Sequence, residues 1–302
     1  MSAAELNAEF GIAGALSFAE TETGLVKASV TAAGGTGELY LQGAQVTQWN
    51  PARERPVLFM SPHSAFAPGR AIRGGIPVIF PWFGPNRSDP AKPQHGFARS
   101  MPWQVIGAAR PDPARISVTL ALGDDAATAP LWPQQFRAIY EVTFGPRLEL
   151  RLTVRNLSSH EFVFEEALHS YFAVSKVDKV AVEGLQGCTY IDKTDAMTRK
   201  HQAAALLALT GWTDSVYLNT PSQCAIIDPE WRRRIVIDKV GANSTIVWNP
   251  WAENAAGMAD LGAEVWPSMI CVESGNADVD DIHLPPGAEH EMATVISVAP
   301  LG

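Results

Sequence analysis

Three places in this sequence carry chemistry-bearing side chains that a plain strand or loop does not need. The longest is GRAIRGGIPVIFPWFGPNRSDPAKPQHGFAR, Gly69 to Arg99. It holds Arg70, Arg73, Arg87, Lys92 and Arg99, with His95 and the aromatics Phe80, Trp82 and Phe83. Any one of these arginines could be a solvated loop charge. Together they read differently. Gly74-Gly75 after Arg73 would let the backbone come close to a ligand. Pro77, Pro81 and Pro85 stiffen the chain around the aromatics. Guanidinium forks suit bidentate capture of a phosphate, and aromatic faces suit the C–H face of a pyranose. The segment therefore reads as a sugar-phosphate cleft.

The second place is EEALHSYF, where His169 interrupts what looks like a strand. Such a histidine is either a core residue with a partner or a proton donor aimed into a cleft. The third is SMICVESGNAD. A carboxylate such as Glu273, after an apolar run, must reach water at a sheet edge or have a function. Asp214 in GWTDSVYLNT reads locally as a turn residue. The usual nucleotide and hydrolase signatures, GxxxxGK(S/T), GxGxxG, HExxH and GxSxG, do not occur. The Gly34 to Gly37 run suits a strand connection, and the seven histidines form no ligand-spaced pair.

Most of the chain that must position these groups has period two. In RLELRLTVRN, Leu148, Leu150, Leu152 and Val154 fall on one face and Glu149, Arg151, Thr153 and Arg155 on the other, which predicts a half-buried strand. RISVTLAL, FRAIYEVTF, RRIVID, LVKASV and MATVISVA behave similarly, and Gly145-Pro146 predicts a hairpin between two of them. Helical pattern is scarce. TRKHQAAALLAL, Thr198 to Leu209, predicts a helix of about three turns ended by Gly211, and a shorter one is expected near Ala126 to Gln135. Strands do not alternate with helices, and Gly and Pro are spread between them as turn punctuation. The expected architecture is all-β: one large antiparallel β-sandwich domain over residues 1–302.

Composition narrows the function. The chain has 302 residues, 46% hydrophobic and 18% charged, enough for a sizeable core, and a formal charge of −9. That charge argues against nucleic acid and against anionic membranes as partners. It also means that an anionic substrate must be captured by a local basic cluster. Cys188, Cys224 and Cys271 have neither disulfide-framework nor zinc-site spacing, which suits a reducing compartment. The first residues lack a basic n-region, and no apolar run approaches a membrane span. The expectation is a cytoplasmic protein, with a monomer as the default.

In order along the chain, RAIRGGIPVIFPWFG, QHGFAR, EEALHSYF, TDSVY and CVESGNAD resemble the glucose-6-phosphate 1-epimerases. These are the hexose-6-phosphate mutarotases of the aldose 1-epimerase superfamily. The likeness runs from about Leu25 to Ala299. It implies a large antiparallel sandwich of the galactose-mutarotase type, with His169 as general acid and Glu273 as general base. It also places Arg73, Gln94 and Arg99 at the substrate, with His95 beside them, and makes Asp214 a contact to sugar hydroxyls, against its local reading as a turn. The implied partner is a hexose 6-phosphate.

Mutarotation opens the pyranose at C1–O5, rotates C1, and closes the ring on the other face. A proton leaves the C1 hydroxyl while another arrives at the ring oxygen. A carboxylate and an imidazolium on opposite sides of the hemiacetal would make both transfers. Both protons return on closure, so no cofactor or metal is expected. A nearby carboxylate would keep His169 protonated near neutrality. Three rivals remain: a mutarotase for unphosphorylated aldoses, a non-catalytic carbohydrate-binding sandwich with Trp82, Trp132 and Trp251 as platforms, and a metallohydrolase.

Overall fold

The alternation in RLELRLTVRN becomes the strand Leu148–Asn156, its leucines and Val154 buried and Arg151 and Arg155 in solvent. It folds back on Phe136–Phe144 around Gly145-Pro146, with Phe144 opposite Leu148. The other period-two segments also become strands. The structure, a computed structural model, describes residues 1–220 and 223–301.

A nine-stranded sheet runs in the order Leu206–Ala208, Ala181–Glu183, Cys224–Asp228, Arg233–Val240, Glu289–Pro300, Leu148–Asn156, Phe136–Phe144, Arg115–Gly123, Gln104–Asp112. Facing it is an eight-stranded sheet, whose strands we number in chain order: β1 (Val78–Ile79), β2 (Glu166–Leu168), β3 (Tyr171–Ala173), β4 (Thr189–Asp192), β5 (Thr198–His201), β6 (Thr213–Tyr217), β7 (Ser244–Asn249) and β8 (Met269–Asn276). Their spatial order is β5-β4-β6-β7-β8-β2-β1, with β3 also on β8. Smaller sheets of four and two strands complete the fold. Val247, Ile270 and Val272 of the second sheet share one buried cluster with Tyr140, Leu150 and Ile296 of the first. Two antiparallel sheets with their apolar faces together make a β-sandwich.

β8 explains why MICVESGN shows no alternation. It is buried at all eight positions. Ile270 and Val272 face the sandwich core, while Met269 and Cys271 belong to a separate apolar cluster on the other face. A strand covered on both sides reads as a continuous apolar run.

Both expected helices are absent. Thr198 to Leu209 instead supplies β5 and the edge strand Leu206–Ala208. β5 hairpins onto β4, where Lys200 pairs with Asp192 and Asp195. Leu206–Ala208 completes the other sheet against Ala181–Glu183. Ladder hydrogen bonds at two sheet edges outweigh the helix propensity of an Ala/Leu-rich segment. Around Ala126 to Gln135, Asp125 caps the amides of Ala127 and Thr128 into a turn, and Pro130 and Pro133 lack the N–H needed to continue. A helix that does form is Ala3–Phe10, with a capping box between Ser2 and Glu5. Ser-x-x-Glu was its signal in the sequence.

Candidate active site

Register on the outer face of the second sheet assembles the site. On β7 and β8, Ile246 is opposite Glu273 and Trp248 opposite Cys271. On β6 and β7, Asp214 is opposite Trp248. Opposed residues of antiparallel strands share a face, so Asp214, Trp248, Ile246, Cys271 and Glu273 point the same way. β2 and β3 both pair with β8, Leu168 opposite Ser274 and Tyr171 opposite Cys271. The break between them therefore sets His169 abreast of Glu273.

Asp214, Ile246, Trp248, Glu273 and His169 floor a cavity of about 400 Å³, within the range that holds small ligands. All seven residues singled out in the sequence line it: Arg73, Gln94, His95, Arg99, His169, Asp214 and Glu273. A chamber of about 170 Å³ adjoins it behind Arg73 and Arg99, bounded also by Arg70, Tyr171 and Asp260.

Nδ1 of His169 lies 3.2 Å from Oε1 of Glu273. Yet neither that nitrogen nor either Glu273 oxygen has a well-directed hydrogen-bond partner in the protein, and Glu273 is 1% exposed. A buried carboxylate with both oxygens unspent is costly and calls for a functional explanation. Burial, then the Asp214 charge, push Glu273 well above the usual carboxylate range. Burial, then Arg99 and Arg73, push His169 well below the ordinary imidazole value. This corrects the expectation that the carboxylate would keep His169 protonated: burial disfavours the separated ion pair. The two groups also sit side by side, not across the cavity from one another. The Tyr171 ring stacks on His169 at 4.7 Å and 8°, which fixes the plane of the imidazole.

Cations surround the pair. Arg73 is clamped by Asp260, through Nε at 3.1 Å and Nη2 at 3.2 Å, and its Nη1 donates to the Tyr171 hydroxyl. Arg99 donates to the carbonyl of Gln94 and has no carboxylate partner among the described residues. Burial and the Arg73 charge lower it to about 10, so it stays cationic at neutral pH. His95 accepts the Gly84 amide at Nδ1, so its neutral form carries the proton on Nε2. Burial and Arg99 favour that neutral form. Burial raises Asp214, against the pull of Lys193.

Some readings of the basic segment change. Gly74 and Gly75 have φ of 110° and 63° and approach protein backbone, not ligand: a Cβ on Gly74 would meet the Phe59 carbonyl at 2.6 Å. Of its aromatics only Phe83 lines the cavity. Arg87 pairs with Glu165 and Asp278. Trp82 and Trp132 pack into the core and Trp251 against Trp266, so none is a sugar platform. Trp212 and Trp248 line the cavity instead, as does Lys193, and nothing in the sequence singled these out. His169, Cys271 and Glu273 also bring ligand atoms within 4.8 Å of one another. Burial and Glu273 hold the Cys271 thiol well above its ordinary value, which disfavours the thiolate a metal would need.

The sequence profile of the aldose 1-epimerase family matches residues 28–297. The chain belongs to the aldose 1-epimerase family. A Cenchrus ciliaris member provisionally named glucose-6-phosphate 1-epimerase is 35% identical over 271 residues, 87% of this chain and 81% of its own. An Escherichia coli K12 protein of the same provisional name is 35% identical over 239 residues, 78% of each chain. The crystal structure of a Salmonella typhimurium family member, provisionally a mutarotase, superposes with a TM-score of 0.90 at 29% identity, covering 96% of both chains. Family membership makes the chain an isomerase acting on sugars and bears out the all-β sandwich.

Proposed function

We propose that the protein is a hexose-6-phosphate mutarotase that interconverts the α and β anomers of substrates such as glucose 6-phosphate. The observation that carries this reading is the His169–Glu273 pair, buried, unpartnered and open to a cavity with cationic walls. The two oxygens of a hemiacetal share one carbon. Adjacent acid and base groups on one wall therefore reach both without bracketing the ring.

In the ring-opening direction Glu273 takes the proton from the C1 hydroxyl as its O–H bond breaks. The electron pair forms the carbonyl, the C1–O5 bond breaks, and His169 gives a proton to O5. Its Nδ1 is buried against Glu273, which leaves Nε2 for O5. After C1 rotates, the transfers reverse and the starting state returns. Each positioned group contributes roughly 10²–10⁴ in rate. The raised Glu273 and lowered His169 favour the neutral pair, so the protonation that starts the reaction differs from it by one short transfer. A sugar hydroxyl donating to a Glu273 oxygen supplies the hydrogen bond the protein withholds and favours the carboxylate.

The anionic arm is assigned to Arg99 and Arg73, with Arg70 at the rim of the adjoining chamber. Two cations shared by the main cavity and the adjoining chamber, Arg73 and Arg99, favour a phosphorylated sugar over a neutral aldose. The relatives' provisional names point to the same substrate. The direct test follows anomer exchange of glucose 6-phosphate and of glucose by NMR saturation transfer with purified protein. Exchange of the ester at far higher kcat/KM supports the reading. Equal rates on both, or sugar binding without exchange, would overturn it.

A further inference from the structure

We infer that Lys193, at the end of the main cavity away from the arginines, is a specificity-determining residue that works with Asp214 to read the ring hydroxyls. The inference rests on the proposed mutarotase reading and deepens it. Lys193 follows β4, and its amide donates to the Asp214 carbonyl at 2.9 Å. Its ammonium stands 4.5 Å from the centre of the Phe83 ring. Among the described residues that ammonium has no carboxylate within ion-pair distance and no hydrogen-bond acceptor, although it lines the cavity. Three donors held over an aromatic face and left unspent are available to ligand oxygens.

The layout separates this end from the anion end. Arg73 and Arg99 share the adjoining chamber with Arg70 and Asp260, and Lys193 and Asp214 do not reach it. Across the sheet face the order is Lys193 beside β4, Asp214 on β6, Ile246 and Trp248 on β7, Glu273 on β8, then His169. The phosphate of a hexose 6-phosphate is carried on C6, attached to C5, the ring carbon next to the ring oxygen. With phosphate at the arginines and the hemiacetal at Glu273, the hydroxyls remote from the phosphate extend toward Asp214 and Lys193. An ionised carboxylate only accepts and an ammonium only donates, so the two together fix the direction of each hydroxyl they hold. Lys193 also opposes the rise that burial imposes on Asp214, which favours the acceptor form. Nothing local in DKTDA distinguishes Lys193 from any solvated turn lysine.

The test uses full-length Lys193→Met and Lys193→Arg, with anomer exchange measured on glucose, mannose and galactose 6-phosphates and on 2-deoxyglucose 6-phosphate. A charged hydrogen bond lost to substrate is worth on the order of tenfold to a hundredfold in kcat/KM. Lys193→Met should lose that much on the preferred epimer and flatten the ratio between epimers. Lys193→Arg should recover part of it, and inhibition by inorganic phosphate should keep its wild-type constant. Unchanged epimer ratios together with weakened phosphate inhibition would overturn the inference by making Lys193 an anion anchor. An active wild type matched by Lys193→Met would overturn it alone. A wild type inactive on every ester would take down the mutarotase reading with it.

Discussion

Replacing Glu273 with glutamine should cripple the reaction and stabilise the fold, and the stabilisation should grow with pH. The carboxyl is 1% exposed, neither oxygen has a well-directed partner, and burial raises its folded pKa well above the ordinary value of about 4.3. Between those two values the folded state holds a proton that the unfolded state has released, so wild-type stability falls as pH rises through that window. Each unit of pKa elevation costs the wild type about 1.4 kcal/mol once pH exceeds both values. Glutamine keeps the shape and cannot ionise, so the cost disappears. At pH 4 the two proteins should melt together, and by pH 8 the variant should melt higher, by roughly 2–4 °C for each kcal/mol in a chain somewhat above 150–250 residues. Exchange on glucose 6-phosphate should fall by roughly 10²–10⁴ in kcat. Melting curves from pH 4 to 8, paired with NMR exchange rates, make the check. A pH-independent difference in Tm, or near-normal exchange by the variant, would refute the desolvated-base reasoning.

His169→Ala should lower kcat to a similar degree with circular dichroism unchanged, since the ring is held by stacking on Tyr171 and not by a hydrogen-bond network. The kcat/KM profile on glucose, which has no phosphate titration of its own, should be a broad bell, its acid limb set by proton uptake at His169 and shifted downward and its alkaline limb set by proton loss from Glu273 and shifted upward; a narrow bell confined to neutral pH would contradict it. Arg99→Ala should raise KM for the ester well beyond its effect on glucose. Arg73→Ala should do the same and also loosen the Asp260 loop, which shows as faster amide exchange around residues 256–262. Glu165→Ala removes the acceptor for the amides of Phe83 and Asp278, so it should lower Tm by an amount equivalent to about 1–3 kcal/mol and raise KM through the displaced Phe83 loop.

The long strands were legible because six segments alternate, and a hairpin such as Phe136–Asn156 needs only that alternation and a Gly-Pro turn. Local pattern failed where tertiary pairing decided the outcome, as at β5, whose Ala/Leu-rich continuation looked helical until sheet edges claimed it. The site was legible as a set of residue types but not as a geometry. Nothing local tells His169 that it stands abreast of Glu273; that follows from β2 and β3 both pairing with β8. The same register brings up Trp248 and sets Lys193 beside Asp214. Of the tryptophans chosen from the sequence, Trp82 is core and Trp132 and Trp251 pack against it, because an aromatic's type says nothing about which side of a sheet it occupies.

The floor and the rim of this cavity have different origins. Glu273 stands on β8 and His169 in the break between β2 and β3, both held by neighbouring strands, whereas Arg73, Gln94, Arg99 and Asp260 come from outside the strands of that sheet, on either side of β1 and ahead of β8. The Gly75 and Pro77 carbonyls accept the Tyr171 and His169 amides, so the backbone around β1 must stay, whereas replacing exposed side chains on either side of it would retune what is admitted. Such a division makes the scaffold a natural starting point for directed evolution toward other esters, with diversity introduced at the exposed and half-buried residues 85–94 and 256–260.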